Sequence, residues 1–216
     1  MKAMHLVAMP LFLLTCATVV VAQPLPYYSQ TDLTPYWPAD NDNSSQSPAT
    51  ITKFSLVNQA KKPITEAAFD GHPSLVNFFF ASCPSVCPLL MNKMQSFKRA
   101  LTAAPNLRLY SFTVTPNEDS PEKLQAYGKA HKLNLAQWDL LTGSRDAIFR
   151  LGREVFKADK TVDGGKDASF THSDYIYLVD AHRRIRGVYR AADQATLTQL
   201  RQDLTQLVSE DHGKPR

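Results

Sequence analysis

Two thiols four residues apart, Cys83 and Cys87 in Ala81-Ser82-Cys83-Pro84-Ser85-Val86-Cys87-Pro88, are the residues of this chain best suited to chemistry. They follow the apolar run Leu75-Val76-Asn77-Phe78-Phe79-Phe80, which reads as a buried strand. Residues 89–97 come next, with the apolar spacing of an amphipathic helix. At a strand-to-helix junction, an i, i+4 pair falls on one face of the first helical turn. The positive end of the helix dipole there favours thiolate over thiol. Such a pair either binds a soft metal ion or cycles between dithiol and disulfide. Sites in α/β sheets gather where strands end, which argues against two merely packed cysteines.

The spacing carries further information. One residue more than in a CxxC pair enlarges the disulfide ring and moves the second sulfur to i+4, so both sulfurs can point at a common external atom. Pro84 stiffens the helix start, and Pro88 is tolerated only within the first turn. Two thiolates suit Cu(I) or Zn(II) and leave room for a third ligand. Among the histidines, His182 in a hairpin turn and His212 in a charged tail read as solvated. His131 closes a helix, where a cation is favourable. Two candidates remain: His72 in the turn Gly71-His72-Pro73, and His172, at the end of a loop that enters a strand. The residues alone rank His172 only slightly ahead.

The elements that must position these groups are regular from residue 51 onward. A short strand is expected over 52–57, a turn at Lys61-Lys62-Pro63, and strands over 75–80, 107–114 and 138–141. Helices are expected over 88–103, from Ser120 (as N-cap, with Pro121 at the first helical position) to about His131, and over 144–156. A polar loop with Gly164-Gly165 follows, then strands over 175–179 and 185–189 around Asp180-Ala181-His182-Arg183, and a closing helix over 195–208. Alternating strands and helices make an α/β protein with a central mixed sheet and helices on both faces. A two-cysteine helix start after the first core strand, with a late hairpin plus helix, describes a thioredoxin-like fold.

Composition bounds the rest. A hydrophobic share of 44% and a charged share of 20% are globular values. The net charge of +4 is scattered, and no basic run interleaved with aromatics appears, which excludes a nucleic-acid binder. Lys2 followed by a nearly unbroken apolar stretch over 6–21 reads as an export signal, with cleavage after Ala22. Retention as an uncleaved membrane anchor is the second reading; Thr15 fits poorly before a lipidated Cys16, the third. Without Cys16, the chain has Cys83 and Cys87 alone, exported into an oxidising compartment. A bridge across so short a loop stabilises little, so chemistry explains the pair better than scaffolding. Residues 23–50, rich in Pro, Ser, Asn and Asp, read as a linker to a domain over 51–210, although Tyr27, Tyr28, Tyr36 and Trp37 suit packing on that domain.

Several stretches together resemble the Sco/SenC family of thioredoxin-like copper chaperones: Gly71-His72-Pro73 with its strand, Ser82-Cys83-Pro84-Ser85-Val86-Cys87-Pro88, Pro116-Asn117-Glu118-Asp119-Ser120-Pro121-Glu122-Lys123-Leu124, Leu141-Thr142-Gly143 and Thr171-His172-Ser173. Tyr27-Tyr28 and Thr34-Pro35-Tyr36-Trp37 resemble the segment that precedes the domain in some members. The resemblance implies copper, as Cu(I) or Cu(II), held by Cys83, Cys87 and His172. It implies delivery of that copper to the dinuclear centre of cytochrome c oxidase subunit II, or to another copper-accepting protein, in the bacterial periplasm. The chain is then mainly a metallochaperone. The alternative is a thiol–disulfide oxidoreductase in which Cys83 attacks and Cys87 resolves. One departure stands out: where members carry an Asp-Pro pair after the second core strand, this chain has Thr115-Pro116.

Overall fold

Strand β5 (Ser74–Phe79) is buried along its whole length, because it lies inside a seven-stranded sheet with a strand paired on each side. The structure is a computed structural model, and it describes residues 23–38, 46–84, 86–100, 106–158 and 174–213. Among these, the elements in chain order are β1 (Tyr27–Tyr28), β2 (Pro35–Tyr36), β3 (Ser55–Asn58), β4 (Pro63–Thr65), β5, α1 (Val86–Ala100), β6 (Arg108–Thr113), α2 (Pro121–Ala130), β7 (Trp138–Thr142), α3 (Arg145–Arg150), β8 (Tyr175–Val179), β9 (Ile185–Arg190) and α4 (Gln194–Gly213). The large sheet has the order β4-β3-β7-β6-β5-β8-β9. Strands β5, β6 and β7 are parallel, while β3, β4, β8 and β9 pair antiparallel with their neighbours. This is the mixed sheet the sequence pattern implies. The export segment (1–22), with Cys16, and His172 lie outside the described residues.

Alternation along the strands divides the core into two layers. Leu75 and Phe79 of β5 face α1, α2 and α4, together with Cys83 and Cys87. Val76 and Phe78 face the other layer, built on Phe54, Phe69, Ile148 and Phe156. Phe78 stacks on Phe112 with ring centroids 5.4 Å apart. Each such fully buried ring stabilises the fold by about 1.5–3 kcal/mol.

Helix α2 starts as its sequence predicts: the Ser120 side chain accepts from the Lys123 N–H at 3.3 Å, with Pro121 next. Gly71 takes φ +80 in the turn that feeds β5, a backbone angle that side chains disfavour. Two features were not expected. Strand β4 follows the Lys61–Lys62 turn at the sheet edge, where Pro63 opens the strand without needing a donor. Three residues are too few to show a period. The helix over 144–156 is α3 continued by a π-helical turn at Leu151–Val155.

The described part of the 23–50 segment is packed against the domain. Strands β1 and β2 form a small hairpin, and Leu25 is buried. Arg186 of β9, itself buried, donates to the Leu25 carbonyl at 2.7 Å and the Pro26 carbonyl at 3.0 Å. The same guanidinium reaches Glu210 of α4 at 3.0 Å and lies 4.4 Å from the centre of the Tyr27 ring. Because β8 and β9 are successively antiparallel, α4 begins at the cysteine end of the sheet and runs back. The N-terminal segment, bonded to α4 at Gln206 and Glu210, therefore docks at the opposite end.

Candidate metal centre

The two cysteines sit at the exit of the central strand. After β5 the chain makes a tight turn in which the Cys83 N–H donates to the Phe80 carbonyl at 3.2 Å. Helix α1 then begins at Val86, so Cys87 and Pro88 occupy its first turn, where backbone N–H groups have no helical acceptor. Pro88 lacks a donor and costs nothing there. Cys83 lies just before the helix rather than on its first turn, a correction to the expected placement. Its sulfur accepts from the Cys87 N–H at 3.4 Å. Both thiols are unbridged and buried, at 6% and 1% exposure.

Burial decides the protonation of Cys87. Desolvation, then the contact with Cys83, push its thiol up to about 12 from an ordinary 9.0, and the charges of Cys83 and Asp119 act the same way. A backbone hydrogen bond at Phe80 lowers it only in part. The thiolate expected from the helix dipole is thus overruled by the loss of water around the sulfur.

A buried carboxylate holds this loop, and sequence reasoning did not single it out. Asp119, fully buried, accepts from the Ala81 N–H at 3.0 Å, the Thr113 hydroxyl at 2.5 Å and the Thr115 hydroxyl at 3.0 Å, all through Oδ2. Its Oδ1 takes no well-directed hydrogen bond but lies 2.9 Å from Lys123 Nζ, so that contact is chiefly one of charge. Burial would raise its pKa; the bonds from Thr113, Ala81 and Thr115 and the contact with Lys123 together outweigh it and hold the carboxyl below its usual 3.8. Asp119 ties the end of β6 to the residue two before Cys83. Thr115, where the family pattern has an acid, serves here as a donor to that carboxylate. The available signal was a carboxylate directly before the Ser120 N-cap, but such an acid is ordinarily solvated.

The histidines divide clearly. His72 sits before β5, at the far end of the strand from the cysteines, with Nδ1 2.9 Å from the Asp70 carbonyl oxygen and Nε2 3.4 Å from the Tyr110 hydroxyl. It lines a cleft of about 440 Å³ with Arg108, Tyr110 and Asp139. A six-residue strand spans roughly 20 Å, which removes His72 as a partner of the sulfurs. His131 caps α2 and lays its ring 4.2 Å from that of Tyr127. Among the described residues no third His, Cys, Asp or Glu joins the pair in a metal-holding group.

A model of the SCO1/SenC family matches residues 42–209. The chain belongs to the SCO1/SenC family. The SCO1 protein homolog of Bacillus subtilis is 28% identical to it over 145 residues, which is 66% of this chain and 75% of that protein. The structure of BsSco, described as a member of the Sco family of cytochrome c oxidase assembly proteins, superposes with a TM-score of 0.64 at 23% identity, covering 88% of this chain and 98% of BsSco. Yeast Sco1 with copper bound superposes with a TM-score of 0.60 at 22% identity, over 78% of this chain and 96% of that one. The fold is thioredoxin-like, as these structures are. In this SCO1/SenC chain the thiols, the Asp119 network and the β5–α1 turn form one connected unit.

Proposed function

We propose that this protein is a copper chaperone of cytochrome c oxidase assembly, with Cys83, Cys87 and His172 as ligands. Membership of the SCO1/SenC family supports this, and so does the copper held by yeast Sco1. The observation that carries it is the donor set itself: two buried sulfurs joined by the Cys87 N–H contact of 3.4 Å, at the exit of the central strand. Two thiolates select Cu(I), and an added imidazole accommodates Cu(II). His72 stands at the wrong end of the sheet, which favours His172 as the nitrogen donor. Three ligands from a loop and a helix start release metal more readily than a closed cage of four. Delivery then proceeds by exchange: a partner thiolate bonds to copper as a Cys83 or Cys87 sulfur leaves it and takes a proton.

The natural acceptor is cytochrome c oxidase subunit II. The leader over 1–22 carries the protein to the periplasm, cut after Ala22 or retained as an anchor. No helix among the described residues is long and apolar enough to cross a membrane. Thiol–disulfide exchange is less well served, because Cys87, the thiol that would resolve the mixed disulfide, keeps its proton at neutral pH.

The test is an anaerobic copper titration of the thiol-reduced protein beside His172→Ala and Cys87→Ser. Tight one-to-one binding, lost in Cys87→Ser and weakened sharply in His172→Ala, supports the three-ligand site. Binding indifferent to His172 removes the histidine, and weak wild-type binding moves the reading to thiol exchange.

A further inference from the structure

We infer that the Tyr127 hydroxyl is the hydrogen-bond donor that supports the Cys83–Cys87 sulfur pair once those sulfurs are deprotonated and hold copper. Tyr127 lies on the buried face of α2 at 7% exposure, in the same apolar cluster as both cysteines. Its ring packs on Phe79, the last residue of β5, at 5.5 Å between centroids. Its hydroxyl is buried and has no hydrogen-bond partner among the described residues. A buried hydroxyl left unpaired is costly and uncommon, and calls for an explanation.

The surroundings supply one. Asp119 Oδ2 already receives three donors, and Oδ1 faces the Lys123 ammonium at 2.9 Å without a well-directed hydrogen bond. The His131 ring lies against the face of Tyr127. The groups whose accepting power changes with loading are the two sulfurs. A neutral thiol is a weak acceptor, whereas a thiolate bound to metal is a strong one. A phenol is protonated at neutral pH, so Tyr127 holds the proton it would donate. Donors of this kind orient and tune a metal's ligands. The apo protein bears the cost of an idle donor, and the loaded protein recovers it. Tyr127 is a positioning residue in this scheme, not a ligand.

This rests on the copper reading, and one experiment separates the two. Tyr127→Phe and wild type are compared in the full chain by apo Tm, by Cu(I) affinity against a competing chelator, and by the sulfur-to-Cu(II) charge-transfer band. Removing an idle buried hydroxyl leaves the apo Tm unchanged or raises it by about 2–4 °C. Removing the donor to sulfur weakens Cu(I) binding roughly fivefold and moves the band to longer wavelength, because the filled sulfur orbital rises in energy. An apo Tm that is unchanged or raised, together with weaker copper binding and the shifted band, sustains the inference. Unchanged affinity and band in the variant, with wild type binding one copper, overturn the donor role alone. A lower apo Tm accompanied by weaker binding overturns it in favour of packing. A wild type that binds no copper overturns both readings.

Discussion

Replacing Asp119 separates a structural anchor from a passive surface acid. In Asp119→Ala, the buried Thr113 hydroxyl and the half-buried Ala81 N–H lose a charged acceptor. Each stranded donor costs about 1–3 kcal/mol. Thr115 is only partly buried and turns to water, and Lys123, 41% exposed, gives up a screened contact of about 0–1 kcal/mol. The expected loss is about 4 kcal/mol, or a Tm lower by roughly 8–16 °C for a chain of this size. Asp119→Asn keeps one oxygen for the three donors but loses the charge assistance, and costs about 1–2 kcal/mol. The pH dependence has a definite sign. The folded-state carboxyl titrates below 3.8, so the unfolded chain takes up the proton first. The stability advantage of Asp over Asn is therefore full above about pH 5 and closes as the pH falls through the lower folded value. Urea unfolding of wild type and both variants at pH 7 and at successively lower pH measures all of this. An Ala variant within about 1 kcal/mol of wild type, or a wild-type–Asn gap that ignores pH, refutes the anchoring role. Because Ala81 is two residues before Cys83, copper affinity should fall further in Ala than in Asn.

Four other outcomes are expected. With Cys87 raised to about 12, on the order of one molecule in ten thousand carries its thiolate at pH 8. Copper affinity should then rise about tenfold per pH unit for that proton between pH 6 and 9, measured by chelator competition, and a flat profile contradicts the burial account. The apo fold loses stability as pH rises from 9.0 toward 12, since the unfolded thiol ionises first. Arg186→Ala leaves the carbonyls of Leu25 and Pro26 without their donor and removes the cation paired with Glu210 Oε2, at a cost of about 3 kcal/mol; protease cleavage within residues 23–38 should accelerate, and an unchanged digestion pattern counts against docking. Gly187→Ala would place a Cβ 2.0 Å from the Tyr189 hydroxyl, which is tied to Asp203 at 2.7 Å, so the ring cannot yield; a loss of about 2–3 kcal/mol by urea unfolding checks this.

What the sequence alone determined is what short-range physics encodes. The spacing of Cys83 and Cys87 at the end of an apolar run, the Ser120–Pro121 helix start and the alternation of strand and helix signals each lie within a few residues. They were enough for the mixed sheet, the chain order of its core elements and the placing of two thiols at one turn. The tertiary structure decided what depends on residues far apart in the chain. It set Cys87 deep enough to overrule the helix dipole, and folded Asp119 back onto Ala81 across 38 residues. It also buried Arg186 against a segment that composition alone reads as a linker. It carried His72, a candidate by residue type, to the opposite end of the sheet. Spacing along a chain records local geometry, whereas burial and long-range pairing arise only when separate segments displace the same water.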